Sequence, residues 1–249
     1  MQEYINKATE IISEVKKIVI GKDDIIKKVL TTILAKGNVL IEDIPGMRKT
    51  TLALSFSKAM SLNCKRLQFT PDVLPSDVLG FSIYNKELDR FEYKQGSIMC
   101  NLFLADEINR TSAKTQSALL EVMEEGKVTI DGITREVPKP FMVIATQNPV
   151  GSIGTQMLPE SQLDRFMIKL TMGYPDIKSE IEILKGKQKR VPLDEIKPVA
   201  TKEDILIMQD LVEKIYIHEK IYEYIVTLMS KTRNHPLIDL GVSPRGSVA

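Results

Sequence analysis

Apolar residues recur along this chain with two periods, and the period changes with position. Over residues 3–18, Ile5, Ala8, Ile11, Ile12, Val15 and Ile18 follow at three- and four-residue steps, which lines one face of a helix. A second helical stretch, Asp24 to Lys36, follows a turn at Gly21. NVLIE, residues 38–42, is a short branched run bounded by Gly37 and Pro45, and it predicts a buried strand of a parallel sheet. The loop DIPGMRK then leads into TTLALSFSKAM, a helical pattern. CKRLQFT (64–70), NLFLADE (101–107), PFMVIATQNP (140–149) and RFMIKLTM (165–172) predict four more strands.

Between CKRLQFT and NLFLADE the chain is rich in loop residues. Within that stretch FSIYN and RFEYK are two short strands joined by Lys86–Asp89. A helix from about Ala113 to Glu125 stops at Gly126, a residue type suited to a C-terminal cap. KVTIDGITREV alternates around Asp131-Gly132, a two-residue hairpin signal.

After MGYPD, residues 172–176, strand signals cease. DIKSEIEILKGKQK, TKEDILIMQDLVEKI and KIYEYIVTLMSKTR all carry helical spacing, and Thr201 with Asp204 forms a capping box for the middle one. The expected organisation is an α/β domain over 1–173 followed by a small helical domain over 174–249. Alternating strands and helices imply a largely parallel sheet with its ligand at the strand C-terminal ends.

Composition narrows this only a little. The hydrophobic fraction is 43%, the charged fraction 27% and the formal net charge +1, so bulk charge gives no reason to expect a nucleic-acid or membrane partner. Cys64 and Cys100 have no metal-ligand spacing and read as reduced core thiols. The first residues are amphipathic and include acids, unlike a signal peptide, and no apolar run approaches the ~20 residues that span a bilayer. The expected location is the cytoplasm. His218 and His235 are isolated, and Lys185 to Arg190 reads as a solvated helix face.

Candidate chemistry changes the picture more. IEDIPGMRKTTLA, Ile41 to Ala53, has the strand–loop–helix context of a phosphate-binding loop, but Asp43 and Arg48 stand where G-x-x-x-x-G-K-[ST] asks for glycine. In that reading Pro45, Gly46, Met47 and Arg48 form the loop that cradles the phosphates, with Thr51 following in the helix. Lys49 reaches the β/γ-phosphates, and Thr50 offers a hydroxyl to Mg²⁺. NLFLADE ends a buried strand in two carboxylates, with Asp106 placed to hold the metal and Glu107 to polarise the attacking water. The next strand ends in TQN, where the Asn148 amide is placed to hold the γ-phosphate or that water.

With these motifs in order, the chain resembles the MoxR family of AAA+ ATPases, within the group that also holds magnesium-chelatase-like ATPases. The matching stretches are IEDIPGMRKTTLA, QFTPDVLPSDVLG, LFLADEINRTSAKTQSALLEVMEEGKVTIDG, ATQNP, LPESQLDRF and GVSPRGS, which cover nearly the whole chain in family order. The resemblance implies a P-loop αβα domain with a five-stranded, mainly parallel sheet and an all-α lid. Family lids continue with more helix past SPRGS, so it also implies a lid cut short.

By that resemblance Lys49, Thr50, Asp106, Glu107 and Asn148 take the Walker A, Walker B and sensor-1 positions. Arg165 takes the arginine-finger position, reaching a neighbouring subunit's γ-phosphate, and Arg245 the sensor-2 position. The segment around Val19, Ile20 and Gly21 resembles the adenine-side wall. The implied ligands are ATP/ADP and Mg²⁺. The implied partners are further copies of the chain in a ring, a hexamer by resemblance, and client or adaptor proteins, including von Willebrand factor A domain proteins. A regulatory scaffold slowed by Arg48 and a DNA-dependent motor are the alternatives weighed. The other motifs being present argues against the first; neutral charge and the lack of an appended DNA-binding module argue against the second.

Overall fold

Alternate residues of three central strands point to opposite faces of one sheet, and both faces are covered. Val39 and Ile41, Leu102 and Leu104, and Met142 and Ile144 join one buried cluster; Leu40, Phe103 and Ala105, and Val143 and Ala145 join another. This is the period-2 alternation of strands buried on both sides, which is why the segments read as unbroken apolar runs. The structure, a computed structural model, describes residues 2–42, 49–148, 158–174, 176–188 and 193–248, without the side chains of residues 182, 183 and 186–188.

The first half runs α1 (Gln2–Ile18), α2 (Asp23–Leu34), β1 (Val39–Glu42), α3 (Lys49–Ala59), β2 (Cys64–Gln68), α4 (Pro75–Leu79), β3 (Gly80–Asn85), β4 (Arg90–Gln95), β5 (Leu102–Asp106) and α5 (Ala113–Glu125). The second half runs β6 (Lys127–Ile130), β7 (Ile133–Glu136), β8 (Met142–Gln147), α6 (Glu160–Leu163), β9 (Ile168–Leu170), α7 (Ile177–Gln188), α8 (Lys202–Glu213), α9 (Glu219–Arg233) and α10 (Pro244–Val248). The main sheet has five strands in the order β2-β5-β8-β1-β9, and every pairing in it is parallel. This is the α/β architecture expected from the sequence.

Helices α1, α2 and α3 cover one face through Ile11, Val15, Ile26, Val29, Ile33, Leu52 and Phe56. The other face is closed by Phe69, by Val78 of α4, and by Leu119, Leu120 and Val122 of α5. Helix α5 starts at the Ser112 hydroxyl, which accepts from the Thr115 N–H, and ends at Gly126 with φ +63, a left-handed conformation that glycine adopts without a Cβ penalty.

Both hairpins form. Ile130 pairs with Ile133 across Asp131-Gly132, where both turn residues have positive φ as a tight two-residue turn requires. Asn85 pairs with Arg90 across residues 86–89, and this β3–β4 hairpin exposes Phe81, Ile83, Tyr84 and Phe91.

Of the later helices, α8 packs on the sheet layer. Ile205 and Met208 join the cluster of α1 and α2, and the Gln209 amide donates to the Ile33 carbonyl at 2.8 Å. Its capping box forms as expected from Thr201 and Asp204, and Lys7 of α1 adds a 2.6 Å ion pair to Asp204. Helix α9 has no buried residue among those described.

Candidate functional site

Four of the parallel strands end nearly level with one another, which brings distant sequence positions to one edge. Gln68 is opposite Asp106, Ala105 is opposite Ala145, and Glu42 is opposite Gln147. The C-terminal ends of β2, β5, β8 and β1 therefore carry the candidate chemistry together, as open parallel sheets place their ligands.

Asp106 is buried there, yet both of its oxygens are used. Thr146 Oγ1 donates to Oδ1 at 2.6 Å, and the Arg66 guanidinium donates to Oδ2 from Nη2 at 2.6 Å and from Nε at 3.2 Å. The same Thr146 hydroxyl accepts the Glu107 backbone N–H at 2.9 Å, so one side chain fixes both residues of the acidic pair. Glu107 itself is left-handed, with φ 58 and ψ 48, a conformation that costs a non-glycine residue roughly 1–2 kcal/mol. It turns β5 into the short 3₁₀ turn Ile108–Arg110, and its carboxylate takes Arg110 Nη1 at 2.7 Å. The two neighbouring carboxylates thus face different partners.

Asn148 follows β8 and is buried. Its backbone is clamped by Asn109: the Asn148 N–H donates to Asn109 Oδ1 at 3.3 Å, and Asn109 Nδ2 donates to the Asn148 carbonyl at 3.1 Å. Its side-chain oxygen, by contrast, is buried with no hydrogen-bond partner among the described residues. An unpaired buried amide oxygen costs free energy, which a bound ligand or water would recover.

Lys49, buried, and Thr50, half-buried, open α3, the next described element after β1. Thr51 follows, and its carbonyl accepts the Ser55 hydroxyl. Pro45, Gly46, Met47 and Arg48 lie outside the described residues. At the end of β1, Glu42 accepts from Lys169 Nζ and Gln147 Nε2, both at 2.5 Å. The Lys169 ammonium holds the Glu42 carboxyl below the usual carboxylate range.

Gly21 lies on the turn between α1 and α2 with φ +73. A Cβ there would overlap the Ser179 hydroxyl of α7, so both the backbone angle and the close approach require glycine. Lys22 next to it donates to the carbonyls of Met172 and Tyr174 at 2.5 and 3.0 Å, which ties this turn to the connection leaving β9.

Arg165 and Arg245 do not join this cluster. Arg165 precedes β9, and the Met167 N–H donates to the Asn38 carbonyl just before β1, so Arg165 lies at the N-terminal edge of the sheet. The two edges are separated by the length of β1, roughly 13–16 Å for four or five residues at ~3.3 Å each. At that far edge Arg165 Nη1 donates to the Leu120 carbonyl at 2.7 Å and pairs with Glu124 at 3.1 Å. Arg245 pairs with the same Glu124 and lies 3.9 Å from Asp164. Within one chain, the predicted site residues therefore form two groups on opposite edges.

Sequence reasoning missed Arg66, Asn109, Glu124 and Thr146. Each acts on a named candidate from another element; only Asn109, beside the acidic pair in ADEIN, and Thr146, in TQN, sat next to a named candidate in the sequence.

A parallel sheet flanked by helices on both faces, with Lys49 opening a helix and an acidic strand end at one edge, has the layout of an α/β nucleoside-triphosphatase. The sequence profile of the ATPase family associated with various cellular activities (AAA) matches residues 38–168. The Uncharacterized protein YeaC of Bacillus subtilis (strain 168) is 52% identical over 249 residues, covering 100% of this chain and 77% of that protein. Chaperone MoxR1 of Mycobacterium tuberculosis (strain ATCC 25618 / H37Rv) is 38% identical over 95% of this chain and 65% of its own length. A crystal structure from Cytophaga hutchinsonii ATCC 33406, ascribed to an ATPase, superposes with a TM-score of 0.88 at 40% identity over 99% of this chain and 78% of that one. The chain belongs to the ATPase family associated with various cellular activities (AAA) and is an ATPase by class.

Proposed function

We propose that the chain hydrolyses ATP to ADP and phosphate at the C-terminal edge of its sheet, with Mg²⁺, and that catalysis is completed by arginines of a neighbouring copy. The observation that carries this reading is the cluster of Asp106, Glu107 and Asn148 held at one edge by Thr146 and Asn109, with the Asn148 side-chain oxygen buried and unpartnered among the described residues.

The donor set fits a magnesium ion: Asp106 and Thr50 offer the carboxylate and hydroxyl oxygens that a hard cation takes, and an ion bound there would have to compete with Arg66 for the Asp106 carboxylate. When bound, the ion would neutralise charge on the β- and γ-phosphate oxygens. Lys49 holds those phosphates from the start of α3. Glu107 orients a water and draws on its proton as the water oxygen attacks the γ-phosphorus and the bond to the β-phosphate oxygen breaks. The Asn148 amide aligns the water or the γ-phosphate. Catalysis of this kind is mainly positioning and charge stabilisation.

Arg165 and Arg245 sit at the far edge, so in this reading both serve the next protomer's nucleotide. That requires an oligomer, and the resemblance points to a hexameric ring. The residues from 174 on serve as its helical lid, and Gly21 sits against the base. The remodelled clients would be proteins of the cytoplasm, with von Willebrand factor A domain partners. No helix among the described residues is long and apolar enough to cross a membrane. The testing experiment is steady-state phosphate release with Mg²⁺ and with EDTA, beside Glu107→Gln. The expected result is metal-dependent turnover that Glu107→Gln abolishes while ATP binding persists. Parental turnover by Glu107→Gln would remove the assignment.

A further inference from the structure

Glu124, in the EVMEEG stretch, has no part in the chemistry above, yet it is the point where two separated elements meet. Its Oε2 pairs with Arg165 Nη1 at 3.1 Å, and its Oε1 pairs with Arg245 Nη2. We propose that Glu124 is a positioning residue that gathers Arg165 and Arg245 into a single receptor for the neighbouring protomer's phosphates. This rests on the reading of those arginines as acting in trans.

Two guanidiniums repel each other, and a carboxylate between them offsets that repulsion while fixing both directions at once. The anchoring is built from the fold. Helix α5 offers Arg165 two contacts one turn apart, the Leu120 carbonyl at 2.7 Å and the Glu124 carboxylate. Arg245 is steadied from its own segment: the Ser243 hydroxyl donates to Asp164 at 2.5 Å, and the Gly246 N–H donates to that hydroxyl at 3.0 Å. The Arg233 side chain holds the same segment to α9 through the Val242 carbonyl at 2.7 Å and Ser247 at 2.8 Å. The LDR and SPRGS motifs are thereby interlocked, and Glu124 closes the lock from α5.

Both arginine side chains stay partly open, 31% for Arg165 and 46% for Arg245. They line a cleft of about 780 Å³ whose wall also carries Lys27, Lys28 and Lys36. Glu124 and Asp164 also line the cleft, and Lys28 and Lys36 are paired with Asp24 and Glu213, so the positive charge left to receive a polyphosphate rests mainly on Lys27, Arg165 and Arg245. Glu124 sets the spacing of the two arginines, and a more strongly charged phosphate competes for them.

The test uses the full chain with Glu124→Gln, Glu124→Asp, Arg165→Ala, Arg245→Ala and the Glu124→Gln/Arg245→Ala double variant. Steady-state kcat, the dissociation constant of a fluorescent ATP analogue and the melting temperature are measured for each. Glu124→Gln is expected to lower kcat by about 10–100-fold, the scale on which a displaced positioning group slows an oriented reaction, with nucleotide affinity within about twofold of the parent. Glu124→Asp should recover part of the loss. Glu124→Gln should cost far less in the Arg245→Ala chain than in the parent, because the two act as one unit. Parental kcat in Glu124→Gln, an undiminished effect in the Arg245→Ala background, or a loss seated in nucleotide affinity would each overturn the proposal. If Arg165→Ala itself turns over at the parental rate, the trans-arginine reading fails; if Arg165→Ala is inactive while Glu124→Gln is not, only the role of Glu124 fails.

Discussion

Thr146→Val is the substitution that isolates the support of the acidic pair. It keeps the shape of a fully buried side chain and removes one hydroxyl. That hydroxyl donates to Asp106 at 2.6 Å and accepts from the Glu107 N–H at 2.9 Å. A hydrogen bond to a charged group contributes about 1.5–3 kcal/mol, and an orphaned buried N–H costs about 1–3 kcal/mol. The two overlap, because Asp106 keeps Arg66 and the left-handed Glu107 can relax, so a net loss of about 2–4 kcal/mol is expected. At 2–4 °C per kcal/mol for a chain of this size, that is roughly 5–15 °C in Tm. The effect on turnover comes from the freed carboxylates: loss of an outer partner of a ligating group costs about 10–100-fold in activity or metal affinity. The assay is a thermal melt with steady-state phosphate release across a Mg²⁺ titration. A Thr146→Val protein with parental Tm, kcat and Mg²⁺ dependence would refute the claim that this hydroxyl organises the site.

Three further outcomes follow from single observations. Asp204 is held below its ordinary value of 3.8 by Lys7, and Lys7 above its ordinary 10.5 by Asp204. The pair's contribution is therefore complete between those values, lost as pH falls through the lowered Asp204 value and lost as pH rises through the raised Lys7 value. Lys7→Ala should melt below the parent at pH 7, and the gap should close as pH falls through the lowered Asp204 value; a gap that does not shrink on acidification would contradict the assignment. Gly21→Ala should destabilise by at least about 1–2 kcal/mol from the positive φ alone, before the overlap with Ser179 is counted, as read by denaturant melts. Burial pushes the Cys64 and Cys100 thiols up to about 11 and about 12, so native protein should resist iodoacetamide at pH 8 and label only on unfolding.

The sheet and its covering helices were legible because burial on two faces leaves continuous branched runs and burial on one face leaves a helical stripe. Departures have local causes. Residues 165–172 read as one strand, but only Ile168–Leu170 pair, since Arg165 and Phe166 are taken up by the turn after α6 and Phe166 is buried against α5 and its neighbours. Helix α4 was hidden in a loop-rich stretch. It spans Pro75–Leu79 and is started by the Asp77 carboxylate, which accepts the Leu74 N–H at 2.8 Å.

The candidate site was legible where chemistry is written in consecutive residues, as in ADE or RKTT. It was illegible where a residue works across the sheet. Thr146 reads as an ordinary strand residue, and only the level ends of β5 and β8 bring it to Asp106. The meeting of Glu124, Arg165 and Arg245 joins three motifs that are far apart along the chain. No local pattern encodes it.

The central claim is that each ATP is hydrolysed by the acidic edge of one chain and the arginine edge of the next. It is tested most directly by mixing two inactive variants, Glu107→Gln and Arg165→Ala, and measuring phosphate release. An Arg165→Ala chain keeps its own Glu107 and can take Arg165 from a Glu107→Gln neighbour, so the mixture should hydrolyse ATP where neither variant does alone. A mixture that assembles yet stays as inactive as its components would contradict the account.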